Sequence, residues 1–320
     1  MKMVDPKGDM LSIVVPLYNE EAVIPALRQR LLDWRRALGK RVECVLVNDG
    51  SVDGTEELLD AFAREESDVK AVHLSRNFGH QQAVSAGLSV AEGEYVAIID
   101  GDLQDPPEEI TRFLAKLEEG YDVVYAVRRS RKEGWLKRCA YSVFYRLLSR
   151  LSSIDIPLDS GDFCLMRRVV VEQINDMPER HRFVRGLRCY AGFRQTGIEY
   201  ARDARALGMP KYTFWKLLEL AADGIFTFSS KPLRLATMLG FCSVLVALAY
   251  SAYIVLWRLF SDEQLPGFAS IIVIVLYLGS VQLFCMGILG EYIGRIHDEV
   301  KRRPGFIISR VSSKLARECL

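Results

Sequence analysis

The sequence predicts an α/β domain with a mostly parallel sheet, followed by two membrane-spanning helices. In the N-terminal part, short apolar runs alternate with helical stretches, and each run ends in a polar cluster. Two long charge-free segments lie near the C-terminus. Alternating strands and helices are typical of parallel sheets with right-handed crossovers. The 320 residues have room for one large or two medium domains, at about 100–200 residues per domain.

Five strands follow from apolar, β-branched runs. They are predicted at Leu11–Leu17, Val42–Val47, Val69–Leu74, Tyr95–Ile99 and Asp122–Val127. The helix after the first strand is expected to end near Ala37 and the helix after the third strand near Ala91. Asp53 and Gly54 are expected to form a turn and helix cap after the second strand. Because ligands of α/β sheets bind at the carboxyl ends of the strands, the polar clusters there indicate a nucleotide-type ligand.

The segment Glu94–Glu109 carries the strongest chemical signal. The apolar run ends in Asp100, Asp102 and Asp105, and Pro106 and Pro107 then favour the start of a helix. An Asp-x-Asp pair suits Mg²⁺ or Mn²⁺, which keeps positions open for phosphate oxygens. The sequence has neither G-x-x-x-x-G-K-[ST] nor a G-x-G-x-x-G after the first strand. We therefore expect carboxylates and a metal, rather than a glycine-rich loop, to hold the nucleotide.

The net charge, the distribution of basic residues and the cysteine spacing indicate which partners and which compartment the protein has. A net charge of +1 does not favour nucleic-acid binding. Residues 128–150 are strongly basic, which indicates either a solvated face or contact with an anionic membrane or phosphorylated substrate. The seven cysteines show no C-x-x-C spacing and fit a reducing compartment. The N-terminus lacks an apolar h-region, so we expect no signal peptide.

Two segments, 235–257 and 264–290, contain no charged residue. Each exceeds the roughly 20 apolar residues that span a bilayer, and a buried hairpin in a soluble core is the disfavoured alternative. Lys231, Arg234 and the basic residues after Arg295 flank the two spans, so both termini are predicted to be cytoplasmic. The stripe formed by Gly287, Gly290 and Gly294 is expected to pack the two helices together or to contact neighbouring subunits.

Basic amphipathic helices complete the predicted organisation. Trp135–Leu151 and Tyr212–Phe228 interleave apolar and charged residues, which indicates either core packing or a helix in the lipid headgroup layer. The predicted division is a catalytic domain at 1–210 with an interface helix at about 133–151, a juxtamembrane helix at 211–232, two spans within 233–290 (about 235–257 and 267–290), and a cytoplasmic tail at 291–320.

Five motifs now resemble a known family. In order they are VPLYNEE, VNDGSVDGT, LSRNFGHQQAVSAG, DGDLQDPPE and SGDFCLMRR. They resemble the family 2 glycosyltransferases of GT-A fold, a Rossmann-like α/β fold. With the paired spans and the ending GEYIGRIHDEVKRRP, the chain is similar to the polyisoprenyl-phosphate glycosyltransferases of the bactoprenol (undecaprenyl-phosphate) glucosyltransferase type. Dolichol-phosphate mannose synthase is a more distant relative. The resemblance extends from about Ser12 to Pro304.

The resemblance implies a role for each matching residue. The nucleotide sugar would be bound by Pro16, Tyr18, Glu20, Asp49, Ser75, Gln81, Asp100, Gly101, Arg202 and Arg205. The metal would be held by Asp102, Asp100 and Gln104, and the acceptor phosphate by Arg128, Arg129 and Ser130. Asp162 matches the residue usually proposed as the base, and it is the expected catalytic residue together with Asp102. Lys211 and Tyr212 match a mobile loop that Pro210 is expected to stiffen.

Simpler structural roles compete with some of these assignments. Glu20 and Asp49 also suit helix capping, and Asp162 suits a turn beside Gly161. Gly101 stands where Ala is commoner in the family, and we expect that difference to be neutral. His73 and His80 are assigned no catalytic role.

The implied reaction is inverting transfer of a hexose, glucose from UDP-glucose first, to a polyisoprenyl phosphate at the cytoplasmic membrane face. UDP-galactose, a UDP-aminopentose and GDP-mannose are the alternative donors, and a non-catalytic membrane scaffold is the alternative function. A processive polysaccharide synthase is disfavoured, because it would carry the motif Gln-x-x-Arg-Trp and several more spans, and the sequence predicts neither. A phosphate monoester is mostly dianionic at pH 7, since its second pKa is near 6. We therefore expect Asp162 to orient substrates rather than accept a proton. A homotetramer is the working hypothesis for assembly.

Overall fold

The computed structural model describes residues 10–128, 160–180, 182–200, 231–260 and 267–314. These residues form two compact units, one built around a sheet and the other containing two long helices. The segment after Pro304 belongs to the sheet unit. The predicted combination of an α/β domain with two apolar C-terminal helices is confirmed.

The elements follow one another from the N-terminus to the C-terminus of the described chain. They are β1 (Leu11–Leu17), α1 (Ile24–Leu38), β2 (Val42–Asn48), α2 (Thr55–Glu65), β3 (Val69–Leu74), α3 (His80–Val90), β4 (Tyr95–Ile98), a 3₁₀ turn (Pro107–Glu109), α4 (Ile110–Glu118), β5 (Val123–Arg128), β6 (Ser160–Arg167), α5 (Arg168–Asp176), α6 (Val184–Tyr190), β7 (Gln195–Tyr200), α7 (Lys231–Phe260), α8 (Phe268–Val300) and β8 (Ile308–Ser312).

The eight strands form one mixed sheet in the order β7-β5-β6-β4-β1-β2-β3-β8. Strands β1 to β4 are mutually parallel where they pair, whereas β6 and β8 run antiparallel to their neighbours. The five strands predicted from sequence are all present, and each end lies within one residue of the predicted one. Strands β6, β7 and β8 were not predicted.

The core explains why the central strands are apolar on both faces. Every residue of β1 and β2 is buried, because helices cover both faces of the sheet. On one face, Leu31 of α1 and Phe113 of α4 belong to the same apolar cluster as Ile13. On the other face, α3 lies so close that a Cβ on Gly87 would be 2.2 Å from Cγ1 of Val14. Only glycine permits this approach.

The strand β8 closes the edge of the sheet beside β3. The backbone N–H of Ser75 donates to the carbonyl of Ile307 at 2.9 Å, and Oγ of Ser309 donates to the carbonyl of His73 at 2.9 Å. Arg310 donates from Nη2 to Asp60 and Glu56, each at 2.7 Å. The C-terminal segment therefore contributes directly to the α/β unit.

Helices α7 and α8 are long and apolar enough to cross a membrane. The qualifying segments are Lys231–Trp257, with mean hydropathy 2.1, and Ile271–Val300, with mean hydropathy 2.4. Their large apolar side chains are mostly exposed, unlike those of a core hairpin. A Cβ on Gly287, Gly290 or Gly294 would meet no atom of the described residues within 4 Å. The glycine stripe therefore does not pack α7 against α8.

Several predicted features lie outside the described residues. They are the acceptor residues Arg129 and Ser130, the loop residues Arg202, Arg205, Lys211 and Tyr212, the interface helix at 133–151 and the juxtamembrane segment at 211–230.

Candidate active site

The carboxyl ends of β1, β2, β3 and β4 meet along one edge of the sheet. The loops after β1 and β2 are joined there by two hydrogen bonds. The backbone N–H of Asn19 donates to Oγ of Ser51 at 3.0 Å, and the side-chain oxygen of Asn19 accepts from the N–H of Val52 at 2.9 Å. Asn19 adopts a positive φ of 52°, a conformation that asparagine tolerates better than most residues. These bonds hold the two loops in one arrangement.

The loop after β3 is attached to the same edge through Asp49. Its carboxylate accepts hydrogen bonds from the N–H groups of Phe78 at 2.7 Å and Gly79 at 2.9 Å. Asp49 is only 2% exposed. Burial raises the pKa of Asp49, and the two backbone hydrogen bonds oppose that shift. Asp49 thus shapes the 75–79 turn, and Tyr18, which is 40% exposed, presents more surface to a ligand.

The Asp-x-Asp segment directly follows β4. Oδ1 of Asp102 accepts from the N–H of Gln104 at 3.2 Å, and Leu103 between them has a φ of 62°. The expectation that Gly101 is interchangeable with alanine needs correction. A Cβ there would lie 2.4 Å from Cδ2 of Leu17 and 3.1 Å from the carbonyl oxygen of Pro16. An alanine would therefore require the buried Leu17 side chain to shift.

The antiparallel pairing of β4 and β6 brings Asp162 to this segment. Ile98 lies opposite Cys164, so the same register continued by two residues places Asp100 opposite Asp162. No local pattern in the sequence encodes that pairing. The two carboxylates that the resemblance assigns to the donor side and to catalysis therefore lie beside each other.

Both oxygens of Asp162 are held from two helices. Oδ1 lies 3.3 Å from Nε of Arg185, in α6. Oδ2 accepts from Nε2 of Gln81 at 3.1 Å and lies 3.4 Å from Nε2 of His80, both in α3. Gln81 also accepts from the N–H of Val184 at 2.8 Å, which ties α3 to α6. Asp162 thus has a fixed orientation and is 11% exposed.

The carboxylates at this edge have strongly perturbed pKa values. Burial and then the charge of Asp105 raise the pKa of Asp100 to about 6. Burial would also raise the pKa of Asp162, but the charge of Arg185 and the hydrogen bond from His80 outweigh it and hold that pKa well below its usual range. Asp162 is therefore ionised throughout the physiological range, and proton acceptance is unfavourable.

Asp105 is a further buried carboxylate in the segment that follows β4, and it is hydrogen-bonded to β7. It is 2% exposed and accepts from the hydroxyl of Tyr200 at 2.5 Å. Tyr200 ends β7 and lies opposite Arg128, the last residue of β5. Asp105 therefore connects the Asp-x-Asp segment to the strand end that carries one of the predicted acceptor residues.

The chemistry of these residues fits a divalent cation that a substrate helps to hold. Among the described residues, no group of three or more His, Cys, Asp or Glu side chains is arranged to hold a metal. Mg²⁺ or Mn²⁺ usually takes one or two carboxylates and completes its coordination with phosphates and water. Asp100 and Asp102 can supply those carboxylates. The raised pKa of Asp100 agrees, because a bound cation relieves repulsion among crowded carboxylates.

Comparison with known proteins identifies the family. Residues 12–174 match the model described as glycosyl transferase family 2. The chain belongs to this family. Residues 231–296 of this glycosyltransferase match a second model, described as the GtrB C-terminal hairpin, and this range covers most of α7 and α8. The hairpin match and the two apolar helices indicate that the glycosyltransferase is membrane-associated.

Relatives resemble the glycosyltransferase over nearly its full length. An uncharacterized glycosyltransferase of Synechocystis sp. is 46% identical over 93% of this chain and 94% of that protein. The SfII prophage-derived bactoprenol glucosyl transferase of Shigella flexneri is 40% identical over 94% of this chain and 97% of that protein. Mycobacterium tuberculosis glucosyl-3-phosphoglycerate synthase, solved with Mn²⁺, UDP-glucose and phosphoglyceric acid, is 19% identical with a TM-score of 0.46, covering 69% of this chain and 78% of that one.

Two residues at the site of this glycosyltransferase were missed by sequence reasoning. His80 was assigned no catalytic role, yet its Nε2 lies 3.4 Å from Asp162 and 3.8 Å from Asp100. Arg185 was given no role, yet its Nε lies 3.3 Å from Oδ1 of Asp162. The sequence held a signal for each residue, because His80 lies within one of the five family motifs and arginines are dense near residues 180–188. Only the register of β6 shows that both residues lie beside Asp162.

Proposed function

We propose that this glycosyltransferase transfers a hexose, with glucose from UDP-glucose as the first candidate, to the phosphate of a polyisoprenyl phosphate such as undecaprenyl phosphate. One observation carries the proposal: Asp100, Asp102 and Asp162 share one edge of a family 2 domain whose chain is 40% identical, over 94% of its length, to a bactoprenol glucosyl transferase. UDP-galactose, a UDP-aminopentose and GDP-mannose are the alternative donors.

The donor would lie across the edge formed by β1 to β4. Pro16, Tyr18 and Glu20 would border the base and ribose. Asp49 would act mainly through the turn that it holds by two backbone hydrogen bonds, beside Ser75. Gln81 and Gly101 would border the sugar and the diphosphate, and Arg202 and Arg205 would close over the diphosphate.

Asp100 and Asp102, with Gln104 beside them, would hold Mg²⁺ or Mn²⁺. When bound, the ion supplies positive charge for the departing diphosphate. The protein contributes a preorganised arrangement, because β4 and the 3₁₀ turn fix the segment at both ends.

Displacement of the diphosphate by a phosphate oxygen would invert the anomeric centre. Arg128, Arg129 and Ser130 would bind the acceptor phosphate, which is already mostly dianionic at pH 7. Asp162 would orient this arrangement instead of accepting a proton, and its depressed pKa supports that role.

The role of Asp162 is testable by pH. We expect Asp162→Asn to reduce transfer by a factor that stays constant between pH 6.5 and 9. An obligatory base would behave differently, because the acceptor would ionise unaided at high pH and activity would recover. Initial rates across that range, with wild type measured in parallel, distinguish the two roles.

The apolar helices would anchor the catalytic domain at the membrane, where the acceptor lies. We propose that α7 and α8 cross the cytoplasmic membrane, with the catalytic domain and both termini on the cytoplasmic side, as the flanking Lys231, Arg234, Arg302 and Arg303 favour. The acceptor's hydrocarbon chain cannot leave the bilayer, so its phosphate lies at the headgroup plane. An anchored catalytic domain meets it there. The open glycine stripe on α8 supports packing between subunits, for which a homotetramer is our first candidate.

The decisive experiment is transfer of radiolabelled sugar to undecaprenyl phosphate in detergent with Mg²⁺ or Mn²⁺. A panel of UDP- and GDP-sugars is tested with wild type and Asp102→Asn. We expect label in the lipid fraction from one UDP-sugar, and at least about a 100-fold loss in the variant, the size expected when a preorganised electrostatic partner is removed. Nucleotide binding without transfer from any sugar would refute the acceptor assignment.

A further inference from the structure

His80 lies between the two carboxylates on which the proposed reaction depends. Its Nε2 is 3.4 Å from Oδ2 of Asp162 and 3.8 Å from Oδ1 of Asp100. His80 is the first residue of α3, preceded by Gly79 with a φ of 96°. That turn is fixed from the other side by Asp49. The backbone that carries His80 is therefore fixed, and it directs the imidazole, whose side chain is 45% exposed, toward the two carboxylates.

The other contacts of Asp162 do not provide this link. Arg185 meets Oδ1, and Gln81 meets Oδ2 while also accepting from the backbone of Val184. These contacts orient Asp162 within the cradle formed by α3 and α6. In the described structure, His80 is the side chain with ion-pair distances to both Asp100 and Asp162.

The position of His80 between Asp100 and Asp162 has an electrostatic consequence. The register of β4 and β6 sets Asp100 opposite Asp162, so their negative charges repel each other. An anionic phosphate approaching the same edge would add to the repulsion. An imidazole N–H between the two carboxylates weakens that repulsion and fixes their separation.

We propose that His80 is a positioning residue that couples Asp162 to Asp100 and so fixes the acceptor side of the reaction relative to the donor side. This inference rests on the proposed glycosyl transfer. His80 would act through the two carboxylates and not on the substrate. Its loss should therefore slow the chemical step while leaving the binding of nucleotide intact.

The test uses the full-length enzyme and three variants of His80. Partners that orient active-site ligands typically change activity or metal affinity by about 10- to 100-fold when they are removed. We expect His80→Ala to lower kcat by about that factor, with an unchanged KM for the nucleotide sugar. His80→Gln, whose side-chain N–H can reach the same carboxylates, should retain more activity than the shorter His80→Asn. The exposed His297→Ala serves as the control and should match wild type.

Two readouts separate positioning from a merely structural role. In an Asp162→Asn background, His80→Ala should cause little further loss, because residues that act through one another are not additive. Calorimetric binding of UDP with Mn²⁺ should be the same for wild type and His80→Ala. Additive losses, or a variant whose only defect is weaker UDP binding, would overturn the proposal. If His80→Ala does not fold, the ranking of His80→Gln above His80→Asn carries the test, and equal rates for those two would overturn it.

Failure of the inference is distinguishable from failure of the proposed function. If wild type transfers no sugar to undecaprenyl phosphate, the reaction itself is wrong. If wild type transfers sugar and every His80 variant keeps full kcat, the reaction stands and the positioning role is refuted.

Discussion

Buried carboxylates at the two ends of the parallel strands have opposite surroundings. At the edge where β1 and β2 begin, Glu43 accepts hydrogen bonds from Ser12 at 2.5 Å and the N–H of Glu92 at 2.9 Å, and it pairs with Lys70 at 2.6 Å. At the opposite edge, the charges of Asp105, Asp162 and Asp102 add to burial in raising the pKa of Asp100.

This difference separates stability from function. A carboxylate surrounded by donors and a cation contributes to folding. A carboxylate placed among other carboxylates costs folding free energy and is retained where a ligand or a reaction uses it. Substitutions at the two edges should therefore have opposite effects.

The largest effect is expected for Asp100→Asn. Removal of the charge should lower sugar transfer by at least about 100-fold, as for the loss of a preorganised electrostatic group. The melting temperature should stay equal to that of wild type or rise, because the crowded negative charge is gone. Transfer assays and thermal unfolding of the same preparation test this. A clearly lower melting temperature would contradict the comparison.

Glu43→Gln should do the reverse. Loss of the charge weakens the hydrogen bonds from Ser12 and Glu92 and the pair with Lys70, at a cost of about 1.5–3 kcal/mol in the free energy of unfolding. Activity per folded molecule should be unchanged, since Glu43 lies at the far edge. The matched control is Glu92→Gln, which removes a half-exposed partner of the same lysine and should cost less than about 1 kcal/mol.

A pH titration tests a second buried group, His73, whose neutral form the folded protein favours because its pKa is lowered. Its Nδ1 lies 3.2 Å from Nδ2 of Asn48 and its Nε2 lies 3.0 Å from Asp60. Burial and then the charge of Arg310 lower its pKa, against the effect of Asp60.

Below pH 6.5 the unfolded chain binds a proton at His73 that the folded protein does not. Stability should therefore fall as the pH decreases through this value toward the lowered folded pKa, by about 1.4 kcal/mol for each unit of pKa difference. Unfolding measured from pH 7.5 to 5 should show the slope in wild type, and His73→Gln should reduce it. An unchanged slope in the variant would assign it to other groups.

The smallest effect is expected for Gly101→Ala. Because Cδ2 of Leu17 must move to admit the new Cβ, we expect a loss of about 1 kcal/mol, at the low end for overpacking. Thermal unfolding measures this loss. The control is Gly39→Ala, at a helix end where φ is +65° and a Cβ would meet no atom of the described part of the chain within 4 Å. It separates the cost of crowding from that of backbone conformation.

Much of the fold was predictable from local patterns. The five predicted strands are correct to within one residue at each end, because both faces of each strand are covered and the apolar run stops where the covering helices stop. The polar clusters after these strands lie at one edge because parallel strands share their direction. Asp49, Asp100 and Asp102 could therefore be placed near one another from sequence alone.

The site was less completely predictable. The resemblance pointed to Asp162, but its neighbours His80 and Arg185 come from segments 82 and 23 positions away, and no periodicity relates them to it. The motif also did not reveal what Asp49 contacts. Its assignment to the nucleotide stays a prediction, and the structure adds that its carboxylate accepts hydrogen bonds from the N–H groups of Phe78 and Gly79.

The sequence by itself determined the α/β class, the strand ends that carry the carboxylates and the two apolar helices, because each is encoded by neighbouring residues. Only the tertiary structure determined which strands pair and which side chains come together at the site. The antiparallel register of β6 sets Asp162 opposite Asp100, and β8 returns after α8 to cover β3. Pairing of distant strands depends on hydrogen bonds between backbones, which are the same for every residue, so side-chain patterns alone do not specify the partner.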